Sequence, residues 1–366
     1  MKNNQIAIIG GGIAGLALAI ALAKKSREVI VFEKHSYPNH KVCGEYVSRE
    51  TENFLDELGV LSKMEAFPRI SNLQVSSPKG KMFETPMPIG GIGVSRYTFD
   101  NLLYERAKEL GVRFVFEEVV NAYKTAEIYT IDTKANSYQA NQLVGAFGKR
   151  SSLDVQWQRP FALKAKSRLN QWVGIKHHLY NDEIDENTIA LHNFEGGYCG
   201  TSKVEENKVC LCYLVNSKML KNSNIQQLEN DVLGKNPFLK HIFKTSTKIF
   251  DKPLAISQIS FDKKEQLVNN VPMIGDAAGL ITPLCGNGMS LALQTASIFA
   301  KAFDKKDPLN HYRQEWNKQI ASRLAWGRWI QKGFGNPTIS EILIGTANTF
   351  PAVGSYLVGK THGKRF

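Results

Sequence analysis

The chain has 366 residues, 43% hydrophobic and 22% charged, enough to bury a large core in one or two closely joined domains and too apolar for a disordered protein. Its net charge of +12 comes from scattered lysines without interleaved aromatics, which argues against a nucleic-acid partner and reads first as a generally solvated basic surface, with anionic lipid, an acidic carrier protein or an acidic substrate as the alternatives. The 5 cysteines (43, 199, 210, 212 and 285) show neither a C-x-x-C pair nor zinc spacing, so no disulfide framework and no metal site is expected.

The opening stretch, MKNNQIAIIGGGIAGLALAIALAKK, has the basic start and apolar run of a secretory leader, and also a glycine fingerprint. The neighbouring elements decide between them. Gln5 to Ile9 suits a buried parallel strand, and Gly10, Gly12 and Gly15 give G-x-G-x-x-G. Ile13 onward is a strong helix former, and VIVFE is a second strand ending at Glu33, 18 positions after Gly15. The first glycine makes the turn, the second lets a pyrophosphate approach, and the third lets helix pack on strand. The helix start then offers free N–H groups to the phosphate. This continuation predicts a dinucleotide-binding crossover in a cytoplasmic chain. A carboxylate at Glu33 accepts from ribose hydroxyls and repels a 2′-phosphate, so the ligand is FAD or NAD rather than NADP.

Farther along, VSRYTFDNLLYERAKELG predicts an amphipathic helix preceded by Arg96, for which phosphate contact and surface decoration are equal alternatives. LVGAFGKRSSLD is a strand and basic turn without a second G-x-G-x-x-G, so no separate nicotinamide domain is expected. WVGIKHHLY predicts a strand with His177 and His178 on opposite faces, at most one pointing inward. GGYCGTSKVEENKVCLCYLV reads as a hairpin turning at 204–207, with Cys210 and Cys212 as buried thiols on one side. VPMIGDAAGLITPLCGNGMSLALQTASIFAKAF predicts a strand ending at Gly275-Asp276, a loop with Pro283, and a helix opened by Gly286-Asn287-Gly288, whose positive end suits an anionic ring. Beyond residue 304 come an amphipathic helix and an apolar stretch, broken by Gly and Pro, that packs over a cavity or touches a membrane.

Together these segments resemble the FAD-dependent oxidoreductases of the aromatic hydroxylase and geranylgeranyl reductase superfamily over about residues 5 to 300. The resemblance implies an α/β fold. A Rossmann-like FAD-binding domain (1–68, 92–160 and 262–303) would carry an inserted β-sheet substrate domain (69–91 and 161–261) and a helical C-terminal cover (304–366). It also implies that Gly10, Gly12, Ala14, Gly15 and Glu33 bind the ADP half, that Arg96 contacts the cofactor, and that the Val120 backbone lies against the adenine. Asp276 would hold the ribityl chain, and Gly288 and Met289 would face the flavin ring.

KVCGEYVS resembles the family's loop that runs under the flavin. Cys43 as a redox or relay thiol and Glu45 as a proton donor stand beside plainer roles, close approach and local pairing. Three departures are visible: Phe147-Gly148 replaces the frequent Asp-Gly, Tyr198-Cys199-Gly200 replaces the polyprenyl reductases' aromatic element, and the W-x-W-x-I-P signature is absent, which sets halogenation aside. The expectation is monooxygenation of an aromatic or polyketide-like molecule by tightly bound FAD, with NAD(P)H as transient reductant and O₂. A flavin ene-reductase acting on a lipophilic substrate and a non-catalytic flavin-binding redox partner are the alternatives. The partners expected are an aromatic or lipophilic small molecule and, beside it, an acyl carrier protein or a membrane surface met peripherally.

Overall fold

The computed structural model describes residues 5–163, 171–221, 224–281, 287–333, 335–352, 354 and 363–366. The opening residues form β1 (Ile6–Ile9), α1 (Ile13–Ala23) and β2 (Val29–Phe32), and every residue of both strands is buried. An apolar run so fully enclosed belongs to the core of an α/β sheet. β3 (Tyr46–Ser48) and α2 (Glu52–Leu58) follow, then the long hairpin β4 (Arg69–Ser76) and β5 (Met82–Gly93).

α3 (Arg96–Glu109) starts at Ser95, whose hydroxyl accepts from Thr98 N–H. Arg96 is therefore the first residue of the helix rather than the residue before it. β6 (Arg113–Val115) comes next, then the antiparallel sheet of β7 (Val119–Thr125), β8 (Ile128–Thr133) and β9 (Ser137–Ala140), and then β10 (Gln142–Gly145). The parallel sheet has the order β10-β1-β2-β6, so the glycine turn after β1 opens at the carboxyl edge of a central strand. Open α/β sheets bind their ligands there.

After the short helices α4 (Ser152–Gln156) and α5 (Pro160–Leu163), the chain builds β11 (Trp172–Tyr180), β12 (Thr188–Phe194), β13 (Gly197–Lys203) and β14 (Lys208–Asn216). The expected hairpin is thus β13–β14. α6 (Ile225–Asp231), α7 (Pro237–Thr245), β15 (Thr247–Lys248) and β16 (Leu254–Ile259) complete this part. Among the described residues the large sheet has nine strands and runs β15-β11-β14-β13-β12-β4-β5-β3, with β16 also on β11; of these pairings only β12–β4 is parallel.

Both faces of the large sheet are covered. Ile189, Leu191 and Leu214 pack on one side, while Phe194, Leu211 and Val215 pack on the other with Leu228 of α6 and Leu239 of α7. This corrects the expectation for WVGIKHHLY: His177 and His178 point to opposite faces and both are buried.

The chain returns through β17 (Leu267–Val268) and β18 (Val271–Pro272) to a parallel bridge between Met273 and Gly145. α8 (Gly288–Ala302) then packs on α1. The single helix expected after residue 304 is two helices, α9 (Pro308–Gln319) and α10 (Ala321–Gly333), parted at the fully buried Ile320; α11 (Pro337–Thr349) follows. The chain end returns to the start of α2: Phe366 N–H donates to Glu50 O at 3.0 Å, and Phe54 N–H donates to Phe366 O at 3.2 Å. Among the described residues no helix is long and apolar enough to cross a membrane.

Candidate active site

The turn after β1 is shaped by what a side chain there would strike. A Cβ on Gly10, whose φ is +109°, would fall 2.3 Å from Ala146 O, and one on Gly15 would fall 2.0 Å from Gly10 O. Gly10 lies against the backbone that follows β10 and Gly15 lies where α1 meets the end of β1, and neither contact admits a carbon. A Cβ on Gly12 meets only Arg96 Nη2, at 3.6 Å, so the backbone there is open to a ligand. Glu33, at the end of β2, reaches the same turn: Gly11 N–H donates to its Oε2 at 3.0 Å, and Tyr37 Oη donates to Gly11 O.

Arg96 lies over this turn and is held by Asp100, with Nε and Nη2 each donating at 2.7 Å. Lys41 Nζ adds a bond to Asp100 at 3.1 Å. Burial alone would raise the Asp100 pKa, but Arg96 and Lys41 hold the carboxyl below its usual value. Lys41 Nζ also lies 3.9 Å from Glu33 Oε2, so the two cations are matched by two carboxylates, and it is the Arg96 guanidinium itself that faces Gly12, where a pyrophosphate would pass.

From here a cleft open to solvent runs between the two sheets. Gly12, Ala14, Arg96, Asp276, Gly288 and Met289 line one side. The large sheet and the returning chain supply Ile189, Leu191, Tyr198, Leu214, Ile259 and Leu280 opposite. The first N–H groups of α8 have no intrahelical partner and open at Gly288, where a Cβ would meet nothing within 4 Å. Pro283 and Gly286, expected in the loop before α8, lie outside the described residues, as does Cys285.

The turn bearing Asp276 is fastened from behind by groups that the sequence did not announce. Arg159 Nη2 donates to Ala277 O and Lys264 Nζ to Asp276 O, both at 2.8 Å; Tyr312 Oη donates to Met273 O at 2.6 Å; Thr295 Oγ1 accepts from Gly275 N–H at 2.8 Å. Burial brings the Lys264 ammonium down to about 8, still cationic at neutral pH.

Cys43 and Glu45 line the cavity on a loop that also carries Gly44. Glu45 is fully buried with φ +54°. Its Oε1 accepts from Lys176 Nζ at 2.6 Å and from Arg96 N–H at 2.8 Å, and His178 Nε2 lies 2.5 Å from its Oε2. Burial pushes its pKa up, yet the His178 hydrogen bond and the Lys176 charge hold it at about 2. Glu45 is thus a fixed carboxylate at neutral pH, which does not fit the proton-donor role.

Cys210 Sγ lies 3.3 Å from Cys43 O, and Cys212 also faces the cavity. Burial pushes the Cys212 thiol up to about 12, so it stays protonated. Glu45, His178 and Cys210 have donor atoms within 4.8 Å of one another, but the Lys176 ammonium already occupies the carboxylate that a metal would need. Among the other residues named from the sequence, Val120 lies on β7 outside this cavity, its carbonyl accepting from Gln156 Nε2 at 2.5 Å. Phe147, in place of the family's aspartate, packs edge-on against Trp157 at 5.8 Å.

A glycine turn, the Arg96 guanidinium, the turn bearing Asp276 and a second helix start border one cleft, with Glu33 bonded to the back of the glycine turn, a donor set that fits FAD. The family model described as "FAD binding domain" matches residues 3–305. The chain belongs to this FAD-binding family. Its relatives span several activities. A digeranylgeranylglycerophospholipid reductase of Methanosphaera stadtmanae is 24% identical, over 88% of this chain and 84% of the relative. A kynurenine 3-monooxygenase of Dictyostelium discoideum is 22% identical, over 89% and 77%. A solved flavin-dependent brominase superposes with a TM-score of 0.79 at 21% identity, over 98% of this chain and 93% of that one. The chain is therefore placed by its family among FAD-dependent oxidoreductases, whose members here include reductases and monooxygenases.

Proposed function

We propose that the protein is an FAD-dependent monooxygenase that places one oxygen atom from O₂ on an aromatic or polyketide-like, lipophilic small molecule, with NAD(P)H as transient reductant. The observation that carries this reading is the pairing of walls in one cavity: polar backbone turns on the cofactor side, and Ile189, Leu191, Tyr198, Leu214, Ile259 and Leu280 opposite. FAD held there would supply the hydride and oxygen chemistry that no side chain of the chain provides.

The chain's own tasks are to bind, orient and exclude water. Gly12, Ala14 and the start of α1 receive the pyrophosphate, Glu33 the ribose, Arg96 the negative charge, and Asp276 the ribityl chain. The Val120 backbone borders the adenine end. Gly288 and Met289 present the positive end of α8 to the ring. Glu45 keeps the Cys43-Gly44 backbone in place, and Cys43 serves as a small neighbour allowing close approach. The protein is read as a cytoplasmic enzyme.

Reduction of a double bond in a lipophilic substrate is the second reading, supported by the KVCGEYVS loop on the cavity wall. FAD-loaded protein is incubated with NADH or NADPH and a panel of aromatic, polyketide and isoprenoid compounds, with and without O₂, in buffer containing bromide. The expected product has gained one oxygen and needs stoichiometric O₂. Two added hydrogens without O₂ would establish the reductase, and an added bromine the halogenase. Slow, substrate-independent flavin reduction without turnover would leave a redox partner protein.

A further inference from the structure

An ordinary surface helix turns its apolar side inward, and α11 does the reverse. Its inward residues are Ile344 and a serine, Ser340, whereas Ile339, Ile342, Leu343 and the capping Phe350 are 39%, 61%, 49% and 60% exposed. Positions 339, 342, 343, 346 and 350 fall on one stripe of a helix, all of them exposed. The one acid in α11, Glu341, is drawn aside by accepting from Lys79 N–H at 2.9 Å and pairing with Lys81 at 3.8 Å. The stripe thus carries no negative charge.

Its border is basic. Lys79 and Lys81 are exposed on the turn between β4 and β5. Asn236 Nδ2 donates to Ser77 O at 3.1 Å, and a Cβ on Gly80 would fall 2.6 Å from Pro237, which brings the exposed Lys235 to the same border. An uncharged apolar stripe edged by lysines, on a chain of net charge +12, has the chemistry of a helix that lies in the interface of an anionic bilayer.

The position also suits delivery of an apolar molecule. α11 packs on β5 and β12, and a Cβ on the nearby Gly354 would meet the Phe83 ring at 2.3 Å. Phe83 pairs with Val75 and Val75 with Leu191, so these side chains share one face of the sheet, and Leu191 is part of the cavity wall.

We infer that the exposed face of α11, with Lys79, Lys81 and Lys235, docks the protein on an anionic phospholipid bilayer. Binding is read without turnover, so its outcome is independent of the proposed oxygenation. The test is flotation of the full-length, FAD-loaded protein with vesicles of phosphatidylcholine alone or mixed with phosphatidylglycerol. The protein is expected to float with the mixed vesicles, to be left behind by the neutral ones, and to be released by salt.

Ile342→Ser with Leu343→Ser should lower the partition coefficient about tenfold. Lys79→Glu with Lys235→Glu, which leaves the stripe intact, should lower it at least fivefold. Flavin content and melting temperature serve as controls for folding. No flotation of the parent protein, unchanged flotation of both variants, or capture by an acyl carrier protein with no vesicle binding would overturn the inference. So would a stripe that proves to hold two copies of the chain together.

Discussion

A carboxylate taken wholly out of water must be matched by donors or lose its charge. Glu45 is matched three times, by Lys176 and His178 on β11 and by the N–H that begins α3, and so joins the large sheet to the cofactor side across the cavity wall. Glu45→Gln keeps the shape but strands the Lys176 ammonium, so urea unfolding should show a loss of about 3 kcal/mol. The double change Glu45→Gln with Lys176→Met should recover more than half of it. Equal stability of the single variant and the parent would refute the pairing. Behind the glycine turn, Glu33→Arg replaces the proposed ribose acceptor with a cation and frees Gly11 N–H, so flavin per protein after purification should fall at least tenfold. Undiminished yellow protein would contradict the assignment.

The crossover β1-α1-β2 separates two roles of glycine that the fingerprint alone merges. Gly15→Ala drives a carbon into Gly10 O and should cost about 1–3 kcal/mol of stability along with FAD. Gly12→Ala has room in the protein but not beside a phosphate, so it should lose FAD and melt like the parent stripped of its FAD. Chemical unfolding and flavin titration of the two variants distinguish these outcomes. This crossover was legible because its determinants sit within residues 5–33 at fixed offsets. The Glu45 cluster was not, since its partners stand 131 and 133 residues away and meet only through the register of β11. The alternation of His177 and His178 was visible too. What buries the second one is α6, whose Glu229 Oε1 lies 2.6 Å from His177 Nε2, and no local pattern near 177 predicts that cover. Arg159, Lys264 and Tyr312 act on backbone carbonyls, a contact that leaves no periodic trace in sequence.

Buried ionisable groups give the whole molecule a directional response to acid. His192 is enclosed beside Ser76 and Phe238, and burial lowers its pKa from 6.5 to about 4; burial with the Lys176 and His178 charges brings His40 to about 4 as well. Between those values the unfolded chain takes up protons that the fold refuses, so stability must fall as pH drops from 6.5 to 4. Glu45 extends the slope downward. Its folded pKa, about 2, lies below the ordinary 4.5, so its stabilising effect is complete above 4.5 and disappears as pH approaches 2. Urea unfolding from pH 7.5 to 4 should therefore show a continuous decline, to which His192 contributes about 3 kcal/mol. His192→Gln should remove its own share of that decline and leave a shallower slope to His40, joined by Glu45 below 4.5. A parent protein equally stable at pH 7 and pH 4.5 would mean that His192 is already protonated in the fold, or that solvent reaches it.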